Sequence, residues 1–140
     1  MDINSYTLED MHQGRTESFS VEIAPDDVDK FTRISGDYSP IHTDEAYAAE
    51  RGFDGRLTHG LFIGALVSRL IGNQLPGMYG IIQSIELGFR KPLIAPATVT
   101  IEGSVEKSSA STGQVKIAVK AMDVDGAVLA SGNVKVIVRP

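Results

Sequence analysis

The chain has 140 residues, 42% hydrophobic and 22% charged, which suits one domain with a core of its own and argues against disorder. Its net charge is -5 and its densest basic spot is only Arg90–Lys91, so it lacks the basic stripe of a nucleic-acid binder. With no cysteine, it has no disulfide, thiolate metal site or cysteine nucleophile.

The first residues, MDINSYTLEDMHQGR, are polar and acidic, unlike a signal peptide. The longest apolar stretch, Leu61 to Val67, is too short to cross a bilayer. A cytoplasmic location with no membrane partner is expected. Residues 1–13 read as a loose lead-in to a single domain spanning 1–140. Thr16 to Ile23 alternates and predicts a strand. Pro25 suits a first helical turn, Asp26 and Asp27 suit a helix N-terminus, and Val28, Phe31 and Ile34 fall at helical spacing. That helix should stop at Ser35–Gly36. A loop from Asp37 to His42 follows, in which Pro40 argues against helix. Thr43 is placed to cap a short helix from Asp44 to Arg51, ended by Gly52.

Gly60 to Gly72 is apolar almost all round, as a buried helix is. Its three glycines predict close approach by other backbone. After Pro76 the chain reads as β: Tyr79 to Phe89, Ala97 to Lys107, Gln114 to Asp123 and Ala127 to Val138, with Asp125–Gly126 as a hairpin signal. These four strands are expected to form a meander. Together with the first strand, they predict an α+β domain whose antiparallel sheet wraps around the apolar helix.

The stretch that could carry chemistry is FTRISGDYSPIHTDEAYA, residues 31–48. On a straight helix, Asp37 and His42 would point about 140° apart. Pro40 pushes Ser39 toward an extended conformation, and Gly36 permits a tight turn, so the chain can bend and aim both side chains into one place. The same residues also suit an ordinary turn aspartate and a solvated loop histidine.

Phe31, Ile34, Ser35, Gly36, Asp37, Pro40, Ile41, His42 and Ala48 together resemble the signature of the (R)-specific enoyl-CoA hydratases, the MaoC-like branch of the hot-dog superfamily. The departure is Ser39, where that family usually has Asn. THGLFIGALVSRLIGNQLPG (residues 58–77) is similar to the family's central helix. ELGFRKPL (residues 86–93) is similar to the strand lining its substrate entrance, although Ala95–Pro96–Ala97–Thr98 replaces the Gly-Asp usual after that strand. The resemblance covers roughly residues 16–138. It implies a hot-dog fold with a five-stranded antiparallel sheet, and (R)-specific hydration of trans-2-enoyl thioesters or the reverse dehydration.

That chemistry needs a base for water, a proton for C2, and a stabiliser for the charge reaching the thioester oxygen. A carboxylate and an imidazole can hold one water between them and share the proton traffic. The resemblance implies that Asp37 and His42 are this catalytic pair. Gly60 opens the apolar helix, where unpaired N–H groups and the positive dipole end converge; read alone it is a plain helix start. The resemblance places the oxyanion donor there, and it implies that Ser68 hydrogen-bonds and orients Asp37. A lone buried serine would more often bond a carbonyl one turn back. Ser39, His59, Arg90 and Lys91 are candidate substrate contacts, with Arg69 a further candidate for phosphate. His59, just before the apolar helix, is expected neutral, since a cation there opposes the dipole. His12 has no neighbours suggesting chemistry.

No cofactor is implied. No metal is expected, because the sequence offers no compact His/Asp/Glu cluster beyond Asp37 and His42. The expected partners are an acyl-CoA or acyl-carrier-protein thioester and a second copy, since a five-stranded sheet leaves edges open to pairing. Two other readings remain: a hot-dog acyl-CoA thioesterase, and a non-catalytic module that binds acyl thioesters. Thioesterases and the other acyl-carrier dehydratases carry an acidic residue on or near the central helix, and Gly60 to Gly72 has none. A module without chemistry would not need both Asp37 and His42.

Overall fold

The computed structural model describes residues 2–140. Its elements are β1 (Thr16–Ile23), α1 (Pro25–Ser35), α2 (Pro40–Thr43), α3 (Glu45–Glu50), α4 (Gly60–Asn73), β2 (Gly80–Phe89), β3 (Ala97–Ser108), β4 (Gln114–Met122) and β5 (Val128–Val138). The strands form one antiparallel sheet in the order β1-β3-β4-β5-β2. Alternation turns Val99, Ile101 and Val105 of β3, Val115, Ile117 and Val119 of β4, and Val134, Val136 and Val138 of β5 to one face, and α4 covers that face. From α4 come Ile63, Leu66, Val67, Leu70 and Ile71. Each such side chain contributes about 1.5–3 kcal/mol when fully buried, so the α4–sheet contact dominates the fold.

The last four strands are not a simple meander. β3, β4 and β5 are, but β2 crosses over to pair with β5 at the far edge. The connection from Arg90 to Pro96 explains this. Pro92 and Pro96 cannot donate to a ladder. Instead, the Arg90 and Lys91 amides bond the Leu129 carbonyl of β5 at 2.8 and 3.2 Å, and the Thr58 amide bonds Leu93 at 2.7 Å. The crossing segment is thus tied to both β5 and the start of α4.

Four local expectations change. The lead-in is not loose: Met11 is fully buried, and the Asn4 and Tyr6 amides bond the Asn73 and Pro76 carbonyls. Its partners lie far along the chain, so no local pattern announced them. In α1 the buried residues are Val28 and Thr32, while Ile34 is 87% exposed. In α4, Leu61, Ala65 and Ser68 form an exposed stripe rather than a buried side. None of the glycines in α4 admits other backbone: a Cβ on Gly60 would crowd the Phe89 side chain, one on Gly64 would meet the Leu61 and Leu87 side chains at ordinary distances, and one on Gly72 would meet nothing within 4 Å.

Candidate active site

The segment before the site turns twice in seven residues. Gly36 ends α1 at φ 73°, a left-handed conformation that favours glycine, and its N–H bonds the Thr32 carbonyl at 2.9 Å. Asp37 then makes a side-chain turn: its Oδ1 accepts the Ser39 N–H at 3.2 Å, and its own N–H donates to Ser35 Oγ at 3.2 Å. Pro40 does not break the segment, as expected from sequence, but opens α2, because the first helical position needs no N–H and favours the proline φ. α3 is capped by Asp44, whose carboxylate accepts the Tyr47 N–H at 3.1 Å, and not by Thr43, whose hydroxyl is turned back onto the Tyr38 and Ser39 carbonyls.

The one-turn helix α2 aims His42 inward. His42 Nδ1–H donates to the Leu57 carbonyl at 2.7 Å, which fixes the tautomer and leaves Nε2 facing Asp37 Oδ2 at 3.8 Å. That gap is too long for a direct hydrogen bond and suits one bridging water. The Arg56 guanidinium braces the helix, donating to Asp29 Oδ1 at 2.7 Å and to the His42 carbonyl at 3.2 Å. Nothing in the local sequence pointed to Arg56 or to the Leu57 carbonyl, because their partners are 14 or more residues away.

Beside His42 lies a cavity of about 390 Å³, walled by His42, Thr58, Gly60, Phe89 and the crossing segment Arg90–Leu93. Asp37 stands next to it, half-exposed. Gly60 is the first residue of α4, and its N–H has no acceptor among the described residues. A Cβ there would lie 3.1 Å from the Phe89 ring, so glycine keeps this passage open. Thr58, to which the sequence assigns no role, is buried in the same wall, and its hydroxyl has no hydrogen-bond partner among the described residues.

The remaining candidates divide. Arg90 and Lys91 line the cavity, but Lys91 is held by Asp123 at 2.9 Å, so Arg90 is the freer cation. Ser39 is outside the cavity wall and acts through its amide on Asp37. Arg69 is also outside, with its guanidinium 4.1 Å from the centre of the Phe19 ring. Ser68 is exposed on α4 and makes no hydrogen bond to Asp37 in this chain; the Ser39 amide orients the carboxylate instead. His59 is 3% exposed and does not line the cavity, so it is not placed to touch substrate there.

His59 also corrects the expectation about metal ligands. Asp37, His42 and His59 each bring a ligand atom within 4.8 Å of the others, a cluster that the linear spacing did not reveal. The two imidazoles are stacked, with centroids 3.8 Å apart and planes at 22°. Their nitrogen lone pairs lie in the ring planes and run side by side, so they do not converge on an ion about 2.0–2.1 Å from each. The arrangement fits proton transfer better than coordination.

The Lys91 pairing makes a checkable statement about stability. The Lys91 ammonium, and after it the Ala127 N–H, hold the Asp123 carboxyl below its ordinary pKa. A lowered folded-state pKa contributes stability that is present above the unfolded value, about 3.9, and is lost as pH falls through the folded value. Asp123→Asn should therefore lower the urea midpoint at neutral pH, and the difference from the parent should shrink as pH falls below the unfolded value and the carboxylate is protonated in the folded state.

Residues 8–126 match the family model described as MaoC like domain. The chain is 41% identical over 86 residues to a 3-hydroxybutyryl-CoA dehydratase of Methylorubrum extorquens, an alignment covering 61% of this chain and 55% of that one, a little over half the relative's length. It is 31% identical over 99 residues to an (R)-specific enoyl-CoA hydratase of Aeromonas caviae, covering 71% and 74% of the two chains. Among solved structures, the R-hydratase PhaJ1 of Pseudomonas aeruginosa in its unliganded form superposes with a TM-score of 0.91 at 27% identity, covering 97% of this chain and 87% of that one.

Proposed function

The chain belongs to the family of MaoC-like domains, and on that premise we propose that it is an (R)-specific enoyl-thioester hydratase, running the reverse dehydration by the same route. The observation that carries the reading is the 3.8 Å gap between Asp37 Oδ2 and His42 Nε2, beside a cavity that Gly60 lines. A water set to one side of that gap, within hydrogen-bond reach of both atoms, can be held by both groups. As its oxygen forms the bond to C3 of the enoyl thioester, its proton passes to the pair. The C2–C3 π electrons move toward the thioester carbonyl, whose oxygen takes up charge against the Gly60 N–H. A proton delivered from the pair to C2 completes the addition of one water. The Leu57 carbonyl supports the imidazole through Nδ1 while Nε2 exchanges the proton.

The carrier is an acyl-CoA or acyl-carrier-protein thioester, and Arg90 is the candidate contact for its phosphate groups. The relatives named above are, by their names, enzymes of CoA thioesters. The test is hydration of crotonyl-CoA followed at the enoyl absorbance, with chiral analysis of the product. Turnover to the (R)-3-hydroxyacyl product is expected, undiminished after exhaustive chelation. A parent inactive on every enoyl thioester tried would favour the non-catalytic binding module, and activity lost on chelation and restored by zinc would overturn the mechanism.

The working form is proposed to be a homodimer. Ile34, Leu61, Ile81, Ile85 and Phe89 are large apolar side chains exposed on α1, α4 and β2, and β2 is an edge strand with an open ladder. Phe31, Leu61, Ile85 and Phe89 also line an apolar groove of about 510 Å³, which shares Phe89 with the catalytic cavity. A second copy pairing β2 to β2 would cover the edge and the groove together. Light scattering at micromolar concentration should give twice the chain mass, and Ile85→Lys should shift it toward the monomer.

A further inference from the structure

We infer that His59 is a positioning residue: a strut that fixes Asp37, His42 and Gly60 relative to one another. The inference rests on the reading of Asp37 and His42 as the proton-transfer pair. Three contacts from one residue support it. The His59 ring stacks on His42, with centroids 3.8 Å apart, which limits how far the His42 ring can swing about its bond to Leu57. Its Nε2–H donates to the Asp37 carbonyl oxygen at 3.1 Å, with the Thr32 hydroxyl 3.3 Å from the same nitrogen. Its own backbone is the residue before α4, so the next N–H along the chain is that of Gly60.

The ring cannot act on substrate directly, because it is almost fully buried and absent from the cavity wall. Nor is it well explained as filler. His59 Nδ1 is buried without a hydrogen-bond partner among the described residues, which costs free energy that a benzene ring filling the same space would avoid. What the imidazole adds over that ring is the bond to the Asp37 carbonyl. Asp37 lies on an exposed turn whose other hydrogen bonds run to chain neighbours between Thr32 and Thr43, and this bond ties its backbone to a buried side chain from beyond that segment, at the start of α4. The Phe31 ring, 4.9 Å away, packs against His59 and keeps it in place.

Two variants separate the two contacts. His59→Phe keeps a ring for stacking and loses the donor, whereas His59→Gln keeps a donor and loses the stack. A misplacement of 1 Å near reacting groups can cost about 10²-fold, so each variant should lower kcat on crotonyl-CoA by about 10- to 100-fold with KM within about twofold. Crystal structures of both should show the Asp37 Oδ2 to His42 Nε2 separation changed from the parent's. If one variant fails to fold, the other carries both measurements. Parent-like kcat and separation in the folded variants would overturn the strut, as would a rise in KM with kcat unchanged, which would make His59 a substrate contact. An inactive parent would overturn the proposed reaction instead, and the separation in the variants would still decide the strut.

Discussion

Replacing Asp37 by Asn should lower kcat on crotonyl-CoA by at least about 10²-fold, and replacing His42 by Ala should do the same, yet the double variant should be little worse than either single one. The expectation follows from geometry. The two groups flank one gap of 3.8 Å, so a water held there needs both, and removing either disables the unit. Asp37→Asn is a clean probe, because Asn retains an oxygen to accept the Ser39 N–H and the turn need not rearrange. His42→Ala also removes the bond to Leu57 and the partner of the His59 stack, so its thermal midpoint must be measured beside its kcat. Substrate binding should survive in both, since the Gly60 amide and the cavity wall from Phe89 to Leu93 are untouched. Full kcat in a folded Asp37→Asn would make Asp37 a turn residue and nothing more. Losses that multiply in the double variant would mean that the groups act on different atoms.

Gly60→Ala should leave the protein folded and lower kcat/KM by about 10²-fold, the size of effect expected when an oxyanion donor is misplaced by about 1 Å. The added methyl would sit 3.1 Å from the Phe89 ring, so one of two things must shift. If the ring moves, it moves within the cavity wall and narrows the passage to the Gly60 N–H. If the start of α4 moves, the N–H itself is displaced. The ring is 52% exposed, so the protein has room to accommodate the change without unfolding, and the midpoint should fall only slightly. Phe89→Leu introduced into the Gly60→Ala variant removes the contact and should recover much of the loss. No recovery would point to a displaced amide rather than a narrowed passage. Parent-like kcat/KM in Gly60→Ala would remove Gly60 from the oxyanion role.

The regular elements were legible along the chain because their signals are local. Alternation in TESFSVEI bounded β1, proline and two acids marked the start of α1, and Asp125–Gly126 marked the turn before β5. The same locality produced the errors. Pro40 looks like a breaker along the chain because the rule concerns helix interiors, and only the fold shows that it stands at the first position of α2. Ile34 fitted a helical stripe by spacing, but which stripe of α1 faces inward depends on what packs against it, and Thr32 faces in instead.

The sequence by itself determined the chemical groups: an aspartate and a histidine set around a glycine and a proline, a glycine at a helix start, and no acid on that helix. Tertiary structure decided what those groups touch. The placement of β2 beside β5, the tie of the lead-in to the end of α4, the Arg56 brace and the packing of His59 on His42 all join residues 14 or more positions apart. No local periodicity encodes such pairs. They arise when one apolar face of the sheet is buried by α4, and that packing brings the loops before α4 and after β2 together at one end of the sheet, where the site is built.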